Sequence, residues 1–340
     1  MAEHTVVLIP GFGAGPQLVN AATRVIDAAG AGQLDMTYQL CDERWDQDVA
    51  AVPSYVPDVC RKHPVVLAGP LGKRGGADLD GALLRELGLF ALASPLLRKA
   101  ESDAPAPLLV CAGPVDGMGA VDLAKGSRAA QKTARLVGDE GAGHVPASAA
   151  LALEPTTKDG CEQLLAWAFA RAQQRGAGRV AVIAEPSLTR TGGALMAEAA
   201  AKQAAEAGDA VTLALVGVQE GFALLAAGMP GADLLVAPGR YAAAALGVAA
   251  GLAEGVGAAP LVACGSDLVF FSAAGVRADD ENPTPLGMLR AAVLLLRHVG
   301  EKPAAERLEQ ALQQTLQAAA GKAPDGPEAL VSAVLSALHA

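Results

Sequence analysis

Apolar residues fall into two alternating patterns along this chain. Short unbroken runs rich in valine, leucine and alanine sit between glycines and prolines at residues 5–10, 36–40, 65–68, 108–111, 179–184, 210–216, 232–237 and 260–266. Between the runs, apolar positions recur every three or four residues: Leu18, Ala22, Val25 and Ile26; Leu164, Leu165, Ala168, Phe169 and Ala172; Leu286, Leu289, Val293, Leu296 and Val299. The runs suit strands buried on both faces of a parallel sheet, and the periodic stretches suit the helices that cover it, so the pattern predicts an α/β fold. Further helices are expected over 192–207, 219–228, from 239 onward, 306–318 and 326–340, with a loop and a short helix over 41–62. Gly176 follows Arg175 where the helix over 162–175 should stop, as a glycine C-cap requires.

The most informative stretch is Val65-Val66-Leu67-Ala68-Gly69-Pro70-Leu71-Gly72, followed by a polar glycine loop and then an apolar segment over 83–95 whose spacing reads as a short helix. A buried strand that opens into a Gly-Pro loop is where open α/β sheets place their ligands, outside the carboxyl ends of the strands.

Composition narrows the function classes. The 340 residues are 52% hydrophobic and 18% charged, enough for a large core and for two domains. No apolar run reaches the roughly 18 to 20 residues that span a bilayer. The best candidate, 242–252, is short and rich in alanine and glycine. Met1-Ala2-Glu3-His4 does not open a secretory signal, and the expected location is the cytoplasm, with no membrane partner. A net charge of -10 disfavours a nucleic-acid partner, which would need clustered cations on one face. Cys41, Cys60, Cys111, Cys161 and Cys264 are scattered without a Cys-x-x-Cys pair, so reduced, buried thiols are expected.

Glu86-Leu87-Gly88-Leu89-Phe90-Ala91 and Pro95, after the Gly-Pro strand end, resemble the segment L-R-K-E-L-G-L-F-A-N-x-R-P of the isocitrate and isopropylmalate dehydrogenases, the metal-dependent β-decarboxylating dehydrogenases. The resemblance continues in order. Gly11-Phe12-Gly13-Ala14-Gly15-Pro16-Gln17 is similar to that family's G-D-G-I-G-P-E opening, the helix over 162–175 to its E-R-I-A-R-x-A-F helix, and Asn282-Pro283-Thr284 to the end of its cofactor loop. What the resemblance implies is the α/β, two-domain isocitrate/isopropylmalate dehydrogenase-like fold. One domain would be formed by residues 1–98 and 248–340 and the other by 99–247, with a homodimer through the second.

The same register implies a loss of chemistry. Leu84 and Ser94 stand where the family grips substrate carboxylates with arginine, and Leu136 where it has a third arginine. Gly143 stands at the catalytic tyrosine and Glu185, followed by Pro186-Ser187, at the catalytic lysine. With the last motif anchored on Asp233, Gln219, Ala243 and Gly247 stand at the three metal-holding aspartates. No Mg or Mn site is expected there, because hard cations need several oxygen ligands. Oxidative decarboxylation needs cationic clamps, a metal and proton carriers together. The expectation is therefore a catalytically inactive relative with a degenerate active site: a binding, scaffold or regulatory protein, alone or with a catalytic paralogue. The alternative is an oxidoreductase or other enzyme of altered chemistry on a small organic acid, using some of Arg85, Arg98, Arg128, Lys132, His144, Glu185 and Arg190. No cofactor is expected; were NAD(P) held after all, Gly265, Ser266 and Asn282 are the residues placed to touch it.

Overall fold

The computed structural model describes residues 4–31, 34–39, 51–74, 77–96, 106–113, 121–139, 145–146, 148–176, 178–184, 190–319 and 326–339. Fourteen strands are assigned in these residues: β1 His4–Ile9, β2 Leu34–Gln39, β3 Val65–Ala68, β4 Lys73–Arg74, β5 Ala77–Asp78, β6 Ala91–Pro95, β7 Leu108–Ala112, β8 Val121–Leu123, β9 Leu151–Leu153, β10 Arg179–Ile183, β11 Thr212–Val216, β12 Leu234–Ala237, β13 Pro260–Cys264 and β14 Val269–Ala273. The α-helices are α1 Gly15–Ala28, α2 Tyr55–Lys62, α3 Leu79–Glu86, α4 Arg128–Asp139, α5 Lys158–Gln174, α6 Arg190–Ala207, α7 Val218–Ala226, α8 Ala242–Leu252, α9 Leu286–His298, α10 Lys302–Ala318 and α11 Pro327–His339.

Ten strands join in one sheet, in the order β11-β10-β12-β7-β6-β13-β14-β3-β1-β2. The pairs β1/β2, β1/β3 and β3/β14 are parallel, as are β7/β12, β12/β10 and β10/β11. The contacts β14/β13, β13/β6 and β6/β7 in the middle are antiparallel. The carboxyl ends of β1, β3 and β14 therefore point one way, and those of β7, β12 and β10 the other.

Both faces are covered, which is why the strand runs are apolar throughout. On one face Val7, Ile9, Val66, Leu92, Leu109, Ile183 and Leu235 pack with α2, α3, α7 and α8 in a core that crosses the whole sheet. On the other face there are two cores: α1, α9, α10 and α11 over Val6, Leu8, Leu67 and Phe271, and α5 with α6 over Ala93, Val110, Val182 and Val236. Val262 and Val269 touch both, at the seam between them.

Helix starts follow local chemistry. The Asp78 side chain accepts from Gly81 N at 3.2 Å to cap α3, and the Thr157 hydroxyl accepts from Gly160 N at 3.1 Å to cap α5. Pro16 lies in the first turn of α1, where no N–H is needed.

Two expectations need correction. The segment 83–95 is the end of a helix and then a strand, since Gly88, at φ 66°, stops α3 and releases Ala91–Pro95 into the sheet. The stretch after Ser266 contains a strand, β14, that returns antiparallel along β13. Phe270 and Phe271 belong to it, one on each face, and both are buried.

Candidate functional site

The resemblance points first to the carboxyl ends of β1, β3 and β14. Here the glycine loop 11–15, the loop 69–72 and the segment that follows β14 interlock. Phe12 N–H donates to Pro70 O at 2.9 Å, Gly15 N–H to Phe12 O at 2.9 Å and Ala14 N–H to Ala278 O at 3.1 Å. Donors at the start of a helix such as α1 are what a phosphate would need, and these are already engaged by the chain's own carbonyls. Space is equally used. A Cβ at Gly13, where φ is 55°, would overlap the Ala278 carbonyl, and one at Gly72 would stand 2.8 Å from Ala278 Cβ.

Asp80, in the first turn of α3, braces the second loop. Its two carboxylate oxygens accept Leu71 N–H at 2.9 Å and Gly72 N–H at 2.8 Å. Burial pushes its carboxyl above the ordinary range; the two N–H donors pull the other way, and Asp78 adds to the rise. Sequence reading missed this residue. An aspartate two positions after the cap of a helix reads as a solvated first-turn acid, and only the fold brings the loop over it.

Among the described residues, the positions read as degenerate catalytic sites offer little open chemistry. Leu84 and Phe12 both pack against the core that crosses the sheet. Ser94 is completely buried in β6, and its hydroxyl donates to Pro260 O on β13 at 2.8 Å. Leu136 is 57% exposed on α4. Gln219 on α7 and Ala243 and Gly247 on α8 are exposed. Among these last three, one amide is the whole supply of side-chain oxygen, so the residues do not fit the divalent ion that the resemblance implies. Among the described residues no three of His, Cys, Asp and Glu are grouped to hold a metal. Gly143, His144, Glu185 and Arg98 lie outside the described residues. Arg85, Arg128 and Lys132 are exposed on α3 and α4, and Arg190 opens α6.

Asp233, the anchor of the metal-motif register, has a structural task. Its Oδ2 accepts from Gly178 N at 3.1 Å and Arg179 N at 3.0 Å, and its Oδ1 accepts from the Arg179 guanidinium at 2.7 Å, which locks the start of β10 beside β12. The hydrogen bond from the Arg179 side chain holds the Asp233 carboxyl below its usual range.

Gly265, Ser266 and Asn282 are not brought together. Gly265 N–H donates to Leu268 O at 2.8 Å in the turn of the β13/β14 hairpin, against Gly88 and Leu89. That turn is at the amino end of β3, since Val269 N–H donates to Pro64 O. Asn282 follows the other end of β14, a strand length of about 17 Å away. Only Asn282 is on the side where the glycine loops meet.

A separate crevice opens at the carboxyl ends of β10 and β12. It is lined by Glu154, Ile183, Gly192, Met196, Arg240 and Tyr241, among others. The chain leaves β10 into α6 on one face and β12 into α8 on the other, so this is a switch point of the sheet. Arg240 Nε stands 3.1 Å from Glu154 Oε2, both side chains less than a third exposed. Burial pushes the Glu154 carboxyl up, and Arg240 pulls it back. Neither residue was singled out from the sequence, where they are 86 positions apart and Arg240 falls at the start of an expected helix.

The comparisons with known proteins fit this architecture. The chain is similar to the 3-isopropylmalate dehydrogenases of Leifsonia xyli subsp. xyli (27% identical, covering 93% of this chain and 91% of that one) and of Archaeoglobus fulgidus (25%, covering 92% and 91%). It is also similar to the mitochondrial isocitrate dehydrogenase [NAD] regulatory subunit 1 of Arabidopsis thaliana (26%, covering 93% and 83%). Among solved structures, isocitrate dehydrogenase from Methylococcus capsulatus superposes with a TM-score of 0.79 at 21% identity, over 99% of this chain and all of that one. The TT0538 protein of Thermus thermophilus superposes with a TM-score of 0.81 at 20% identity, over 99% of this chain and 68% of that one. The sequence pattern described as isocitrate/isopropylmalate dehydrogenase matches residues 5–326, so with its order of elements and its sheet this chain belongs to the isocitrate/isopropylmalate dehydrogenase family.

Proposed function

We propose that the chain is a catalytically inactive member of this family, a pseudoenzyme that works by binding, as a homodimeric scaffold or as the regulatory partner of a catalytic paralogue. The observation that carries the reading is Ser94. At a position read as a substrate-holding arginine, the side chain is sealed inside the sheet and its hydroxyl is used by Pro260 O. The Ala14 donor engaged by Ala278 supports the absence of NAD(P) from the glycine loop, and Ala243 and Gly247 support the absence of Mg or Mn. Similar chains include both a 3-isopropylmalate dehydrogenase and a regulatory subunit of isocitrate dehydrogenase, so both roles exist among relatives.

The test is an assay of the purified protein with isopropylmalate, isocitrate, malate and tartrate, each with NAD or NADP and with Mg or Mn, followed by reduced-nicotinamide absorbance. No turnover is expected at any pH. Turnover of any of these substrates that depends on the cofactor overturns the proposal.

A second reading, an enzyme of altered chemistry acting on a small organic acid, draws on the crevice at the switch point. Arg240 is a carboxylate-binding group and Glu154 a carboxyl with a raised pKa, the kind of pair that marks acid–base sites. Under that reading, a small carboxylic acid should raise thermal stability and Arg240→Ala should abolish the effect.

A further inference from the structure

The large sheet ends in two edges, β2 and β11, and they are built differently. β2 carries Asp35, and its register against β1 slips between Asp35 and Tyr38. Charges and bulges are the devices that keep one sheet edge from pairing with another. β11 has neither. Its 5 residues, Thr212-Leu213-Ala214-Leu215-Val216, include no charge and no proline, and they pair with β10 in unbroken register. Thr212, Ala214 and Leu215 are exposed, Leu215 at 49%.

The ladder decides which backbone groups this edge leaves open. Thr212 N–H donates to Gly178 O at 2.6 Å, and Val216 O accepts from Ala184 N–H at 3.1 Å, so Thr212, Ala214 and Val216 turn their groups towards β10. The residues between them turn theirs the other way. The N–H and C=O of Leu213 and Leu215 therefore point off the sheet, where among the described residues no strand follows β11.

This pattern is its own complement. Two copies of β11 set antiparallel about a two-fold axis at Ala214 place Leu213 of each opposite Leu215 of the other. Both are hydrogen-bonded pairs, whose members exchange N–H···O bonds, so the outward groups of both leucines are satisfied at once. Ala214 meets its counterpart in the closer, non-hydrogen-bonded pair, where a methyl fits. Leu213 packs on the core under α6, and alternation puts Leu215 on the same face. Pairing therefore covers the exposed Leu215 with Leu213 of the other copy. A foreign strand would have to match this spacing, whereas a second copy matches it by symmetry.

We infer that β11 is a self-association edge, at which two copies of this chain pair antiparallel through Leu213 and Leu215 and join their sheets. The edge is distinct from the surface of α8, which packs on β6 and β7 further into the sheet. It does not depend on whether the family's chemistry is lost.

The test places a cysteine on the axis. At roughly 100 µM chain, a concentration suited to a small interface, Ala214→Cys should form a disulfide-linked pair of chains on mild oxidation. Cα atoms in such a pair stand about 4.5 Å apart, within reach of a disulfide. Thr212→Cys should not link, since its counterpart lies about 13 Å along the strands, and neither should the unaltered chain with its own Cys 5. Sedimentation at the same concentration supplies the second measurement. Leu215→Lys, at an exposed position, should weaken association about tenfold or more by putting like charges on both copies of the edge, and return species of half the mass. No link in Ala214→Cys, equal linking in Thr212→Cys, or a mass unmoved by Leu215→Lys overturns the inference. A chain that sediments as a dimer both unaltered and as Leu215→Lys overturns this edge alone and leaves the homodimer to another surface.

Discussion

Two regions rich in small residues make opposite use of glycine. Where the glycine loops meet the segment after β14, Gly11 and Gly13 have φ of 74° and 55°, and a Cβ on either would overlap a backbone oxygen, of Pro70 or of Ala278. On α8, Gly247 and Gly251 have nothing within 4 Å of where a Cβ would stand. The first set is demanded by the fold of one chain. The second is demanded by nothing within it. A family resemblance carried by glycines at the loops therefore reports architecture, and it survives there even though the loop donors are turned inward on Ala278.

The sharpest way to break the comparison is Gly13→Ala. It combines an αL conformation with overlap against a backbone atom that belongs to a different segment, so relief requires moving the chain after β14 off the loop. A loss of about 3 kcal/mol or more is expected from overlap and strain together, read as a lower urea midpoint with unchanged slope. A loss under about 1 kcal/mol would mean that the segment docks loosely and that the Ala14 donor is open to a ligand.

Asp80 tests the same junction from below. Asp80→Ala leaves two N–H groups, of Leu71 and Gly72, without an acceptor, and each such group costs about 1–3 kcal/mol. A loss near 2 kcal/mol is expected overall, less than for Gly13 because water reaches a half-buried loop. The pH dependence has a definite sign. The folded carboxyl titrates above its ordinary 3.8, so the native chain holds the proton more tightly than the unfolded one. Stability relative to Asp80→Asn should therefore fall as pH rises from about 3.8 through the raised value, and then level off. A difference that grows with pH in that window would show that the N–H donors outweigh burial.

Most of the fold was legible because its elements are long and periodic. The helices over 286–298, 302–318 and 327–339 and the strands around Val65, Val180 and Leu234 follow from apolar spacing alone. The β13/β14 hairpin was not. Phe270 and Phe271 are buried on opposite faces, so β14 shows no alternation, and the glycine and serine of its turn were read as a ligand loop. Gly-Ser-Asp between two apolar runs is itself a hairpin pattern. The candidate site was less legible for a different reason. Losses such as Ala243 and Gly247 are visible as residue types, but Asp80, Ala278, Glu154 and Arg240 act through contacts between segments distant in sequence. A backbone carbonyl such as that of Ala278 leaves no mark in the sequence at all.

The smallest expected effect is on the other side of the comparison. Gly247 is exposed in the interior of α8, and alanine there removes backbone freedom from the unfolded chain without meeting any atom of the folded one. Gly247→Ala should raise stability by about 0.5–1 kcal/mol, seen as a small upward shift of the urea midpoint. Its companions Ala243 and Ala244 are exposed on the same helix, so the small-residue surface extends over two turns. If a second copy of the chain packs closely on that surface, the added methyl meets the partner instead, and the gain becomes a loss that shrinks as protein concentration falls and the unaltered dimer itself dissociates. Sedimentation of the same variant separates the cases: an unchanged mass with a raised midpoint leaves the glycine idle, whereas a lowered midpoint with a loss of dimer gives it the same role as Gly13, fulfilled between chains.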